Sequence, residues 1–363
     1  MTVPQIHVDK AKSNAGKNMP SLVEVLPQHR LDKAKLGLWL SEYVPDLGEL
    51  RSIRQFQGGQ SNPTYLVEGI ESSCVLRKQP PGVLLVSAHA VDREFMIIQA
   101  MASTPVPVPR AYALCEDTAV LGASFYAMEF VPGRVLTDPK LANSAPNDRT
   151  PIYIELAQTL AAIHAVDWRA GSLKDFGKAE NYLARQVKRW SRQFATSGIE
   201  SRDMSELNQW VEAHIPASDA IGEECTVVHG DYRLGNAIYD ETSPRLLAVL
   251  DWELATIGHP LADLSYNCLA WRLPDELNGL KDHVDPILPS EANYLAAYCK
   301  ASGRPDLPQF EFFIAFSLFR LAAILAGVYR RAMDGNATDA RGLDAGRRFQ
   351  LIARIGRNIA LNS

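Results

Sequence analysis

The chain has 363 residues, 37 Lys and Arg against 42 Asp and Glu, a formal net charge of −5, and 47% hydrophobic and 22% charged residues. This is the composition of a globular protein with one large or two ordinary domains, and its mild acidity argues against a nucleic acid or a membrane surface as partner, since both call for a basic face. The five cysteines (Cys74, Cys115, Cys225, Cys268, Cys299) are far apart, so no C-x-x-C pair suggests a zinc site or redox dithiol, and reduced thiols in a cytoplasmic setting are expected.

Residues 1–30 are polar, broken by Gly, Asn and Pro, and lack an apolar secretory core; they read as a mobile tail. From about 50 to 131 the pattern is rich in strands. Short apolar runs at 64–70, 74–78 and 124–131 are separated by turn residues. One helix over 87–101 interrupts them, with Val91, Phe95 and Ile98 at i, i+4 and i+7 as its core stripe. Glu94 sits beside that stripe, where a carboxylate is costly unless a cation meets it. The strand at 74–78 ends in Arg77 and Lys78, whose side chains alternate to opposite faces, so one of the two is expected to meet Glu94. The segment at 57–62 precedes a strand. Its Gly58 and Gly59 backbone and Ser61 hydroxyl could fold over phosphates, although a plain hairpin turn has the same composition.

Past about 150 the period becomes helical. The segment 151–168 opens with Pro151 at a first helical position and repeats Leu156, Leu160 and Ile163. The segment 181–194 puts Leu183, Val187, Trp190 and Phe194 on one face. Strands return briefly between 226 and 252, and the rest is helical. The apolar run 312–328 carries Arg320 near its middle and falls short of the ~20 residues that span a bilayer, so it reads as a buried helix. The expected organisation is therefore a tail (1–30), a β-rich part (31–131) and a mainly helical part (132–363), an α+β chain.

The strongest chemical signal is His229-Gly230-Asp231-Tyr232-Arg233-Leu234-Gly235-Asn236, followed after a hairpin by Asp251-Trp252-Glu253. Phosphoryl transfer needs a carboxylate to accept the hydroxyl proton and hard oxygen ligands to hold Mg²⁺ on the triphosphate. Asp231 suits the first task, while Asn236 and Asp251 suit the second. A metal-hydrolase site built from His229, Asp231, Asp251, Glu253 and His259 is the weaker reading, because it leaves Arg77 and Glu94 without a role.

These motifs resemble the aminoglycoside phosphotransferase and choline kinase superfamily, relatives of protein kinases. The resemblance covers residues 50–335 and implies a bilobal, protein-kinase-like fold with a five-stranded, β-rich N-lobe, a mainly helical C-lobe and a nucleotide between them. It further implies that ATP or GTP and Mg²⁺ are used, that Arg77 (or Lys78) is the phosphate-binding cation, and that backbone groups of Glu129 and Val131 meet the base. Asp263, in the family's segment after the metal aspartate, is expected to tie down the catalytic loop. The segments at 58–67, 75–82, 88–95, 126–135, 181–190 and 327–337 are similar to the kinase-like domain fused in some animals to acyl-CoA dehydrogenases, a subfamily associated with phosphorylating hydroxyl groups of hydroxy fatty acyl substrates. A small-molecule hydroxyl acceptor is thus expected, possible handles for its anionic part being Arg185, Arg189 and Arg330. An inactive nucleotide-binding module and an aminoglycoside-type antibiotic kinase are the alternatives.

Overall fold

The computed structural model describes residues 21–57, 62–80, 90–335 and 341–362. Gly58, Gly59 and Ser61 lie outside the described residues.

The first part is built around one antiparallel sheet. In chain order come β1 (Leu22–Val23), α1 (Lys33–Tyr43), β2 (Leu50–Phe56), β3 (Thr64–Gly69), β4 (Ser73–Lys78), α2 (Val91–Met101), β5 (Ala111–Cys115), the single turn α3 (Thr118–Leu121) and β6 (Phe125–Glu129). The sheet order is β1-β2-β3-β4-β6-β5. Six strands stand where five were expected, because Leu22 and Val23 pair with Phe56 and Gln55 at the edge. The chain after residue 20 is therefore part of the sheet rather than a tail, and the Tyr65 hydroxyl fastens it further by donating to the His29 carbonyl at 3.0 Å.

Alternation along β4 divides its side chains between two environments. Cys74 and Leu76 pack with Trp39, Leu40 and Phe125 under α1. Val75 belongs to the main core on the other face, together with Tyr126 and Met128 of β6 and Ile97 and Ile98 of α2. Arg77 shares that second face. Lys78 does not, and burial pulls its pKa down.

The remainder is mainly helical. It runs β7 (Arg134–Val135), α4 (Pro146–His164), α5 (Tyr182–Ser197), α6 (Arg202–Ala213), β8 (Thr226–Val228), β9 (Ala237–Tyr239), β10 (Leu246–Val249), β11 (Thr256–Gly258), α7 (Pro260–Arg272), α8 (Glu291–Ser302), α9 (Phe310–Met333) and α10 (Arg341–Asn362). α4 starts five residues earlier than expected. Pro146 takes the first helical position, where no N–H is needed, and Pro151 falls inside the helix. α9 is long and apolar enough to cross a membrane, but most of it is buried, with α5, α6, α7 and α10 packed against it.

Two short ladders place the loops that matter. β8 pairs with β11 and β9 pairs with both β7 and β10, so the loop after β8 and the residues after β10 lie side by side. Val249 N–H donates to the Pro107 carbonyl at 2.8 Å, joining β10 to the segment that leads into β5.

Serines cap α6 (Ser201) and α8 (Ser290) in the usual way, whereas α5 and α7 are capped by less usual groups. α5 is capped from a distance: buried Asp219 accepts from Leu183 N at 2.7 Å and Ala184 N at 3.0 Å. α7 is capped by His259, whose Nδ1 accepts from Leu261 N at 3.2 Å, with Pro260 at the first helical position. That ring is buried against Phe313, and burial outweighs the pull of Glu224, holding its pKa down at about 4.

Both caps can be tested. Asp219→Ala should cost about 1–2 kcal/mol of stability in denaturant unfolding, while Asp219→Asn, which keeps an acceptor, should cost clearly less. For His259 the unfolded chain takes up a proton below about pH 6.5 and the folded chain only near pH 4. Stability should therefore fall as pH drops through that window. His259→Asn keeps a capping acceptor and removes the proton, so its Tm should fall less between pH 6.5 and 5 than that of the parent.

Candidate active site

Four segments converge between the sheet and the helices: the end of β4, the first turn of α2, the loop after β8 and the residues after β10. The face that β4 turns to the core brings Arg77, not Lys78, to Glu94 of α2, with Nε 3.1 Å from Oε2. The same guanidinium reaches across to Asp251, where Nη2 lies 3.0 Å from Oδ1 and 3.8 Å from Glu253 Oε2. Burial works against the charge on Arg77, but Glu94, Tyr126, Asp251 and Glu253 together outweigh it, and its pKa is pushed up. Glu94 is itself almost fully buried, which raises its carboxyl pKa against the pull of Arg77. Asp251 is in the left-handed region at φ +66°, a conformation Asp tolerates better than most residues, and this turn aims its carboxylate back at Arg77.

The loop after β8 is held by its backbone. Asp263 of α7, buried, accepts from the N–H of His229 and from that of Gly230 at 2.8 Å. Burial would raise its pKa; His164, with Nε2 3.6 Å away, the neighbouring His229 and the Gly230 N–H outweigh that and lower it. This is the tethering expected of Asp263. His229 uses both ring nitrogens: Nε2 donates to the Leu250 carbonyl at 2.9 Å and Nδ1 accepts from Asp231 N at 3.2 Å. Gly230 has φ +86°, and a Cβ there would sit 2.6 Å from the Leu254 carbonyl oxygen, so the loop requires glycine.

Asp231 and Asn236 meet across the loop. Asn236 Nδ2 donates to the Asp231 carbonyl at 2.8 Å and to its Oδ2 at 2.7 Å, and Arg233 Nε lies 3.3 Å from the same Oδ2. Because both partners are acceptors, the Asn236 amide must present its NH₂ to Asp231, which leaves its carbonyl oxygen turned away. Asn236 and Asp251 line one cleft of about 690 Å³ with Arg77, Val75, Glu129 and Val131. An amide oxygen and a carboxylate are the hard donors that Mg²⁺ takes. The transition-metal reading finds no support: the His229 ring is committed, and among the described residues no group of three or more His, Cys, Asp or Glu could hold a metal.

The arginines expected to hold an acceptor are dispersed. Arg185 donates to the carbonyls of Glu180 and Lys178, and Arg330 pairs with Asp334 one turn on at 3.0 Å. Each satisfies a local acceptor and neither lines the cleft. Arg189 lies 4.9 Å over the ring of Trp190. Two residues that sequence reasoning passed over stand closer to Asp231. Tyr266 of α7 has its pKa pushed up to about 12 by burial and by the Asp231 charge beside it. Arg320 of α9 donates from Nη2 to the Gly230 carbonyl. An arginine inside an apolar helix was the available signal for the latter, because a charge is not buried there without a task.

Comparison with known proteins gives the same picture. A sequence profile of the phosphotransferase enzyme family matches residues 52–313. Mouse acyl-CoA dehydrogenase family member 10 is 41% identical over 343 residues, covering 92% of this chain but 31% of its own length, so the chain spans less than a third of that relative. A solved Ralstonia eutropha JMP134 protein, a presumed aminoglycoside phosphotransferase, is 43% identical with a TM-score of 0.83, covering 92% of this chain and 99% of the other. Aminoglycoside phosphotransferase APH(4)-Ia, solved in a ternary complex with AMP-PNP and hygromycin B, has the same fold at 16% identity, with a TM-score of 0.60 and coverage of 91% and 99%. The chain belongs to the phosphotransferase enzyme family and has its kinase-like fold, a β-sheet N-terminal part joined to a mainly helical remainder.

Proposed function

We propose that this protein is a Mg²⁺-dependent phosphotransferase that moves the terminal phosphoryl group of ATP or GTP to a hydroxyl of a small molecule, a hydroxy acid or hydroxyacyl-CoA. The observation that carries the reading is that Asn236, which lines one cleft with Asp251 and Arg77, is bonded to the Asp231 carboxylate. Asp231 would take the proton of the acceptor hydroxyl as its oxygen bonds to the terminal phosphorus and the bond to the nucleoside diphosphate breaks. Asn236 and Arg233, both on Oδ2, hold that carboxylate in one orientation. Asn236 through its amide oxygen and Asp251 through its carboxylate would hold Mg²⁺, which when bound would neutralise charge on the phosphates. Glu94 stands at the Nε edge of Arg77 and Asp251 meets its Nη2, so Nη1 is the nitrogen that would take a phosphate oxygen. Glu129 and Val131 would meet the base through their backbone.

The AMP-PNP complex of a protein with this fold supports a nucleoside triphosphate as co-substrate. The acyl-CoA dehydrogenase family name of the mouse relative supports an acyl-type acceptor over an aminoglycoside. Five cysteines without a disulfide fit a cytoplasmic setting.

Asp231→Asn should keep thermal protection by Mg·ATP and lose turnover by roughly 10²–10⁴, the range for a lost general base. Asp251→Ala should lose the Mg²⁺-dependent protection. Parental turnover in the first variant, or full Mg·ATP protection in the second, would remove that residue from its role. Nucleotide binding with neither acceptor phosphorylation nor slow hydrolysis of ATP would point instead to a binding module.

A further inference from the structure

α2 carries two charged residues side by side, and both are tied to the helical half. Glu94 reaches it through Arg77, which meets Asp251 and Glu253. Arg93 reaches it directly. Its Nη2 donates to the Phe176 carbonyl at 2.7 Å and lies 3.5 Å from the Ala255 carbonyl, with the guanidinium carbon 4.2 Å over the ring of Phe176. Arg93 is the third residue of α2, where the positive end of the helix dipole disfavours a cation. Charge-assisted bonds to carbonyls and an aromatic face offset that, so its placement is explained by tertiary contact and not by the helix itself.

The two acceptors meet at one joint. Gly177, next to Phe176, presses on the residues that follow Ala255: a Cβ there would sit 2.6 Å from Thr256 Oγ1 and 2.7 Å from Ile257 N. Phe176 itself is buried in the main core. Ala255 closes the turn that begins at Asp251, and its N–H donates back to the Trp252 carbonyl at 3.0 Å. The catalytic loop rests on the same turn, since Gly230 packs against the Leu254 carbonyl. Neighbours on α2 thus hold the two ends of one turn. Glu94, through Arg77, holds the Asp251 end, and Arg93 holds the Ala255 end. The two ties differ in kind. Arg77 and Asp251 line the cleft, where phosphates and Mg²⁺ would compete for both of them. Arg93, Phe176 and Ala255 do not line it, and their tie is to main-chain carbonyls that a ligand in the cleft leaves alone.

We propose that Arg93 is a positioning residue of the phosphotransferase site. It anchors the first turn of α2 to the joint between Phe176 and Ala255, and so holds Glu94 and Arg77 in register with the Asp251 turn while the cleft is empty. The proposal rests on the phosphotransferase reading and adds to it a residue outside the nucleotide cleft. With the anchor in place, the site is already assembled when a nucleotide arrives. Without it, binding has to draw the assembled arrangement from a looser ensemble, and the apparent affinity falls by the fraction assembled. The loosening is confined to the free protein, because in the complex Arg77 and Asp251 would both be held on the phosphates and their metal.

The test pairs nucleotide affinity with hydrogen exchange on the full chain. Arg93→Met keeps an apolar side chain against Phe176 and removes the donors, while Arg93→Lys returns a charged donor to the nearer carbonyl. Ser201→Ala, at the cap of α6, is a control that loses stability without touching these residues. Calorimetry with Mg·ATP should show Arg93→Met binding about tenfold more weakly than the parent, Arg93→Lys within about threefold of it, and Ser201→Ala unchanged. In the free protein, the α2 amides of Arg93→Met should exchange about tenfold faster than the parent's, and Mg·ATP should remove that difference. Parental affinity or parental α2 exchange in Arg93→Met would overturn the proposal. So would an exchange difference that persists with nucleotide bound, no recovery in Arg93→Lys, or a Ser201→Ala affinity as weak as that of Arg93→Met. Failure of the parent itself to bind Mg·ATP would sink the phosphotransferase reading and the proposal with it, an outcome read from the parent alone and so distinct from any effect of Arg93.

Discussion

The guanidinium of Arg77 is the constraint around which the active site is organised. A charge buried that deeply is tolerated only with counter-charges in good geometry, and breaking such a pair from one side costs about 3–5 kcal/mol. Its partners come from three places in the chain: Glu94 on α2, Asp251 after β10 and Glu253 in the following turn. Satisfying it therefore fixes how α2 lies on the sheet. It also fixes how closely the helical half approaches, because Asp251 and Glu253 belong to that half. The alternation of β4 decides that Arg77 faces this way, and the antiparallel registers with β3 and β6 hold that strand in phase.

The opposite wall of the cleft is organised through backbone atoms. Asp263 gathers the N–H groups of His229 and Gly230, His229 ties the loop to the Leu250 carbonyl, and Arg320 takes the Gly230 carbonyl from below. Each bond is made to a main-chain group, of His229 or Gly230 just ahead of Asp231 or of Leu250 beside the loop. The carboxylate itself is left to Asn236 and Arg233. A carboxylate whose surroundings are fixed in this way would, in the role of base proposed for Asp231, lose little orientational freedom when an acceptor arrives.

Much of this was legible before any coordinates. Glu94 beside an apolar stripe called for a cation, and strand alternation narrowed that cation to Arg77 or Lys78; only the packing of Cys74 and Leu76 under α1 decides between them. The spacing of Asp231, Asn236 and Asp251 was readable because a tight loop and a hairpin bring them together whatever the rest of the chain does. The edge strand at Leu22 was not readable, since two residues carry no period and their pairing with Gln55 and Phe56 is long-range. The start of α4 was misplaced because two prolines, Pro146 and Pro151, each look like a first helical residue. The local partners of Arg185 and Arg330 were hidden for a related reason. Helical periodicity says which side chains leave the core, but not that Arg185 will fold back onto two carbonyls or Arg330 onto Asp334.

Arg320 has a further consequence, for synthesis rather than catalysis. α9 has the length and apolarity of a membrane span, and a nascent segment of that kind is open to being taken up by the insertion machinery before the surrounding helices exist to bury it. On insertion scales an arginine at the centre of such a segment costs about 2.5–3.5 kcal/mol, enough to cancel the favourable contribution of several leucines or phenylalanines. The residue that grips the catalytic loop in the finished fold thus also biases the newborn helix toward the protein interior and away from lipid.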